Sequence, residues 1–183
     1  MRVSIDAVVD AGARVLARDR AAPLSAVAQA ASISRATLHR MYPNRDVLVE
    51  AIVERACREA RAVFDLVDMA HSPVPDAIRD LVRRLMPIAH LWALAINEPL
   101  MDQVPRFAED AAELEQRLVE LMRRGQRDGV LRTDQSARWM TFFFGMALTA
   151  AHHAVASGFL APREAPDLVV SSVLHGISGS PAP

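Results

Sequence analysis

Apolar residues recur at helical spacing along most of the chain, and no stretch sustains the polar/apolar alternation of a half-buried strand. Ile5, Val8, Val9, Gly12, Val15 and Leu16 follow the i, i+3, i+4, i+7 order of one buried face. They predict a first helix that starts near Ser4 and is closed by Asp19–Pro23, with Pro23 suited to the first turn of a second helix. Val27, Ala28 and Ala31 make one short stripe, and Leu38, Met41 and Tyr42 make another. Ala31-Ser-Ile-Ser34 supplies a turn between them, and the Ser34 hydroxyl is placed to accept a free N–H of the following helix. That third helix spans roughly Ser34 to Tyr42 and stops at Pro43. Asn44 then caps a long fourth helix, where Val47, Leu48, Ala51, Ile52, Ala56, Val63, Phe64 and Val67 continue the stripe.

His71-Ser-Pro-Val-Pro75 is the clearest break in the chain. Beyond it the pattern predicts a helix from about Asp76 to Asn97, kinked at Pro87, then a short piece around Pro99 to Val104. A further helix covers about Phe107 to Arg127. Asp128-Gly-Val-Leu-Arg-Thr-Asp134 is a connector whose Gly129 suits a left-handed helix cap. Two more helices follow, from about Gln135 to Ser157 and from Pro166 to Gly176, and residues 178–183 read as a disordered tail. The fold class is therefore all-α. The expected domains are a helix-turn-helix head over 1–45, a connecting helix over about 45–70, and a larger helical body over 71–177.

Composition narrows the function. Hydrophobic residues are 51% of the chain and charged residues 23%, which suits a folded core and argues against disorder. The lone cysteine, Cys57, excludes an internal disulfide and a cysteine zinc cage, and reads as a small buried hydrophobe. No apolar run follows the opening Met-Arg-Val, so no signal peptide is expected. The longest apolar stretch, Trp139 to Ala156, is interrupted by two threonines and two histidines, so no membrane span is expected and the chain reads as cytoplasmic. The net charge of −1 hides an asymmetry: residues 1–61 hold ten arginines against seven acids, and residues 62–183 hold eleven against fifteen. A weakly basic front on an acidic body suits a front end that meets phosphate.

Two helices as short as those around Val27 and Leu38 are not stable alone. Packed together they make a helix-turn-helix whose second helix enters the DNA major groove. With Leu38 facing the core, 100° per residue places Ala36 and Arg40 opposite it, flanked by Thr37 and His39, with Arg35 at the helix start. Arginine is the commonest bidentate reader of guanine, so Arg35 and Arg40 are candidates for base or phosphate contacts. Ala36 or the Thr37 methyl can meet a thymine methyl.

Ala31-Ser-Ile-Ser-Arg-Ala-Thr-Leu-His-Arg-Met-Tyr-Pro-Asn-Arg-Asp-Val-Leu48 resembles the TetR family of bacterial transcriptional regulators. Ser32 stands where the family usually has glycine, His39 where it has tyrosine, Tyr42 where it has phenylalanine, and Arg45 where it has lysine. The resemblance is specific over residues 1–60 and architectural beyond. It implies an N-terminal three-helix DNA-binding domain and a larger helical ligand-binding and dimerisation domain. It also implies a homodimer, a double-stranded DNA operator with two half-sites, and a small-molecule effector that releases DNA. By position it makes Arg35, Ala36, Thr37 and His39 the base-facing set. Ser25 and Arg45, at the starts of the second and fourth helices, are expected to hold the DNA backbone together with the Ser34 end of the reading helix.

Aromatic and methionine side chains concentrate in residues 86–146, as in the lining of pockets in helical bundles. The candidate ligand set is Met86, His90, Trp92, Met101, Phe107, Met122, Phe143 and Met146. Asn97, Thr141, Thr149, His152 and His153 are further polar candidates. His152 and His153 point about 100° apart on a helix and do not share a metal easily, and no metal or cofactor motif accompanies them. No phosphate loop, nucleophile elbow or spaced acid pair supports an enzyme. The last two helices are apolar around much of their circumference, which fits pairing with a second copy. The competing reading is a helical small-molecule-binding protein that has lost specific operator recognition.

Overall fold

A computed structural model of the chain describes residues 4–96, 98, 99 and 103–178. Met101, Asn97 and the expected tail beyond Ser178 lie outside the described residues. The described residues are helical, apart from turns and one isolated bridge, as the apolar spacing predicts.

Helix α1 (Ile5–Arg18) buries Val8, Val9, Gly12, Ala13 and Leu16. Ile5 begins the stripe in sequence but is exposed, because it sits on the first turn with nothing packed over it. Helix α2 (Leu24–Ala30) starts one residue later than Pro23 suggested: Pro23 is the extended residue before the helix, at ψ 153°. Helix α3 (Arg35–Met41) is flanked by Ser34 and Tyr42, both in extended backbone. Helix α4 (Arg45–Leu66) begins under an Asn44 cap, whose Oδ1 accepts the Val47 N–H at 3.0 Å. It ends short of residue 70 because the Asp68 carboxylate takes the N–H groups of Ala70 and His71 and turns the chain. Cys57 is buried on this helix.

The single kinked helix expected over Asp76–Asn97 is two helices. Helix α5 (Val74–Leu85) runs into a 3-10 turn at Met86–Ile88, and helix α6 (Ala89–Ala95) follows. Pro87 has no N–H to donate, and the backbone tightens into i+3 bonding rather than bending smoothly. Helix α7 (Pro105–Arg127) ends at Gly129, which takes the left-handed φ of 71° expected of it. Helix α8 (Ala137–Ala156) starts at a Ser136 cap that accepts the Trp139 N–H at 3.1 Å, two residues beyond the expected Gln135. Helix α9 (Ala165–Ile177) ends at Ser178. That residue is not part of a loose tail: it forms an isolated antiparallel bridge with Leu131, beside an Arg132 N–H bonded to the Ile177 carbonyl at 2.9 Å.

Packing divides the chain into two compact units, grouped by contact rather than by order in sequence. The first holds Met1–Glu59 with His90–Ala108. Its core includes Leu16, Leu38, Leu48, Ile52 and Phe107, all essentially without solvent contact. Each such side chain contributes roughly 1.5–3 kcal/mol. Gly12 lets α4 come close: a Cβ there would sit 3.3 Å from Leu48 Cδ1.

The second unit holds Ala60–Ala89 with Glu109–Pro183. Ile78, Leu81, Leu121, Met122 and Phe144 are among its fully buried side chains. Arg61 ties the end of α4 to α7 through Asp110 and Glu113. Arg117 reaches from α7 to Asp65 at 2.7 Å and to the Phe64 carbonyl at 2.6 Å. No helix among the described residues is long and apolar enough to cross a membrane.

Candidate nucleic-acid interface

The sequence around residue 34 builds a short helix with one polar, exposed side. Ser34 Oγ accepts the Thr37 N–H at 3.1 Å, which satisfies one of the free donors at the start of α3. Leu38 and Tyr42, one turn apart, are buried and anchor the helix from below. Burial, with Asp6 nearby, pushes the Tyr42 phenol above its usual range, so it remains neutral as an apolar wedge.

Opposite that anchor, Arg35, Ala36, His39 and Arg40 are all exposed, and Thr37 is half-exposed between them. Helical phasing alone located this side. It did not find that Thr37 is held from both directions: its Oγ1 lies 2.9 Å from Ser34 Oγ and accepts from Arg40 Nη2 at 3.4 Å. The polar atoms on this side of α3 are thus partly ordered by one another.

The turn that sets α3 at its angle is made without glycine. Ser32 takes a left-handed φ of 54°, and the chain closes through Ser32 N–H to the Gln29 carbonyl (3.0 Å) and Ile33 N–H to the Ala28 carbonyl (2.9 Å). The turn thus holds a left-handed residue that carries a side chain, at a cost in backbone strain. Pro23, Leu24 and Ser25 at the start of α2 face Arg35, Ala36, Leu38 and His39 across an open cleft of about 380 Å³. Ser25 and Arg45 are half-buried, at the starts of α2 and α4. Pro23 and Leu24 had no signal in sequence as members of this surface, since only the packing of α2 against α3 brings them there.

The expected ligand set is distributed over both units. His90, Trp92 and Phe107 belong to the first, and Met86, Met122, Phe143 and Met146 to the second. Phe107 and Met122 are fully buried, and Met86 and Phe143 are half-buried. Met146 is exposed on α8, in line with Trp139 and Phe142. His90 is engaged by Asp10 of α1, with Nε2 donating to Oδ1 at 3.0 Å.

No protein-family model matches the chain. It is 27% identical over 172 residues to the HTH-type transcriptional repressor LfrR of Mycolicibacterium smegmatis, covering 93% of this chain and 88% of that protein. It is 26% identical over 159 residues to the HTH-type transcriptional regulator NfxB of Pseudomonas aeruginosa, covering 86% of this chain and 85% of that one. The crystal structure of LfrR in complex with proflavine superposes with a TM-score of 0.72 at 25% identity, over 94% of each chain. The fold is also that of PfmR, a TetR family regulator from Thermus thermophilus, with a TM-score of 0.67 over the full length of both. A capped helix with an exposed basic side, set in a fold shared along nearly the whole chain, makes this protein similar to the TetR-type helix-turn-helix transcriptional regulators.

Proposed function

We propose that this regulator is a repressor that reads a two-half-site operator as a homodimer and is released by a small-molecule effector. The observation that carries the DNA-reading part is α3, with Arg35, Ala36, His39 and Arg40 exposed together on the side away from buried Leu38. In this reading Arg35 and Arg40 contact guanine edges or phosphates, and Ala36 and the Thr37 methyl meet thymine methyls. His39 lies at a base edge, while Ser25, Ser34 and Arg45 hold the backbone. Residues 1–45 act as the head, α4 connects, and 71–177 act as the body.

Pairing of two copies is supported by Trp139, Phe142 and Met146, which form an exposed stripe on α8, and by exposed Leu168 on α9. A stripe of large apolar side chains at helical spacing is unusual on a free surface and suits burial against a second copy. The effector part is supported by LfrR, which is named a repressor and was crystallised with proflavine. Met86 and Phe143 of the second unit, both half-buried, are the side chains most suited to a flat aromatic molecule.

The test is fluorescence anisotropy with duplexes from the DNA flanking the regulator's own gene. Binding should prefer one sequence, fall steeply with salt, and weaken by roughly tenfold for Arg35→Ala or Arg40→Ala. Proflavine is the first effector to titrate against the complex. Equal binding to all sequences, with neither arginine variant changing it, would leave a ligand carrier without operator recognition.

A further inference from the structure

An ionic cluster in the first unit is centred on Asp10, with His90 buried on one side of it and Arg14 exposed on the other. We infer that His90, from α6, is a positioning residue for the DNA-reading unit: its Nε2–H bond to Asp10 anchors α1, and protonation of its ring loosens that anchor. The inference rests on the DNA-reading function proposed above and adds a proton-dependent control to it.

One half-buried carboxylate joins three helices. Asp10 Oδ1 accepts from His90 of α6 at 3.0 Å and faces Arg55 Nη2 of α4 at 3.4 Å, and Oδ2 accepts from Arg14 of α1 at 2.8 Å. Arg55 continues to Glu59 of its own helix and to the Asp6 carbonyl of α1. Among the described residues, the charged groups that face the imidazole include Asp10 and Arg14 from α1 and Arg55, with its Glu59 partner, from α4. The His90 side chain is only 7% exposed, against 27% for Asp10.

Two further ion pairs join the His90–Ala108 segment to the rest of the first unit. Glu98 pairs with Arg20, in the connection between α1 and α2, at 3.0 Å, and Arg106 pairs with Glu50 of α4 at 3.0 Å. Those two pairs involve well-exposed arginines and are individually weak. His90–Asp10 is the buried tie.

The position of α1 matters because α1 packs on α2, and α2 packs on α3. The cluster already holds two guanidiniums around Asp10. A proton on His90 would add a third cation, on a side chain that is only 7% exposed. Burial, joined by Arg14 and Arg55, outweighs the attraction of Asp10 and holds the imidazole below its ordinary value of 6.5. The neutral ring is the bound form near pH 7, and mild acid forces either a buried imidazolium or release of His90 from α1.

The experiment compares the full chain with His90→Gln, whose amide can still donate to Asp10 and does not titrate. His90→Leu serves as a second non-titrating variant should the first fold poorly. Hydrogen exchange of the α1 amides is followed from pH 8 down to 5.5, corrected for the intrinsic rate. Exchange protection of α1 should fall in the wild type by about threefold or more relative to His90→Gln over that range. Operator affinity should weaken by a similar factor in the wild type alone. His39 and the remaining histidines are common to both proteins, so the difference isolates His90. Superimposable α1 protection profiles overturn the inference, as does a loss of affinity in the variant that is the same at every pH. Altered α1 protection without any sequence-preferring DNA binding would instead overturn the proposed function and leave the anchor intact.

Discussion

Ser34 Oγ both accepts the Thr37 N–H at 3.1 Å and lies 2.9 Å from Thr37 Oγ1, so a single hydroxyl caps α3 and orders a side chain beside its exposed face. In the proposed reading, stability and recognition share one group. Ser34→Ala should cost about 1 kcal/mol of folding free energy, the usual worth of a serine cap. It should also weaken operator binding beyond what that loss explains, because Thr37 and, through it, Arg40 lose their ordering contact. Urea unfolding and anisotropy on the same samples check both; unchanged affinity in a destabilised but folded variant would show that the cap has no part in recognition.

Ser32 holds a left-handed φ of 54° with a side chain that disfavours it. Ser32→Gly removes a strain of roughly 1–2 kcal/mol, partly offset by the greater freedom of glycine in the unfolded chain. The net expectation is a gain of up to about 1 kcal/mol, read as a higher urea midpoint at constant slope. A lower midpoint would mean that the serine compensates in a way the turn's hydrogen bonds do not reveal.

Gly125 is buried on α7 where Leu131 folds back over it, and a Cβ there would stand 2.5 Å from Leu131 Cγ and 3.0 Å from Val74 Cγ1. Leu131 is itself pinned by its bridge to Ser178. Gly125→Ala should therefore destabilise the second unit by about 1–3 kcal/mol, overriding the ordinary helix preference for alanine. Differential scanning calorimetry would show the lowered Tm. A rise would mean that Leu131 moves aside freely.

Phe142 is 59% exposed and Trp139 52%, on the same side of α8, with ring centroids 5.9 Å apart. If that stripe pairs two copies, Phe142→Glu should give a folded monomer by light scattering at concentrations where the parent is a dimer. Operator affinity should fall by about tenfold or more, since each half-site must then be bound alone. A dimeric Phe142→Glu protein would place the contact elsewhere.

The pH dependence of stability follows from two depressed groups on one contact. His90 lies below its ordinary 6.5 because burial disfavours its charged form, with Arg14 and Arg55 adding to that. Asp10 lies below its ordinary 3.8 because Arg14 and His90 donate to it strongly enough to outweigh its burial. Both contributions are therefore complete at pH 7 and above. The His90 part is lost as pH falls below about 6.5 through its folded value, and the Asp10 part follows as pH falls below 3.8. Unfolding free energy measured from pH 8 to 5 should decline on the acid side, and His90→Gln should flatten that decline. An identical slope in the two proteins would remove His90 from the account.

Local physics made much of this protein legible from its residues. The apolar spacing around Leu16 and Leu38 marks buried helix faces, because a side chain's direction on a helix depends only on its place in the turn. The caps at Ser34 and Asn44 and the left-handed Gly129 are equally local: each concerns a hydrogen bond or a φ angle within a few residues. The exposed side of α3 followed from phasing against Leu38. The same rules misplaced Ile5, which has the right spacing but no neighbour above it. They also treated Pro87 as a bend, where the chain forms a 3-10 turn between two helices.

Only the tertiary structure decided which distant segments meet. Nothing in the residues near 90 says that His90 will be spent on Asp10, eighty positions away, or that His90–Ala108 will pack with the first helices. Nor does sequence separate Met122, sealed in the core, from Met146, turned outward in line with Trp139 and Phe142. Helix periodicity states that a face is apolar, and burial of that face lowers the free energy wherever a partner surface exists. Because the hydrophobic effect has no direction, the partner is chosen by the three-dimensional fit of whole helices, which no short stretch of sequence contains.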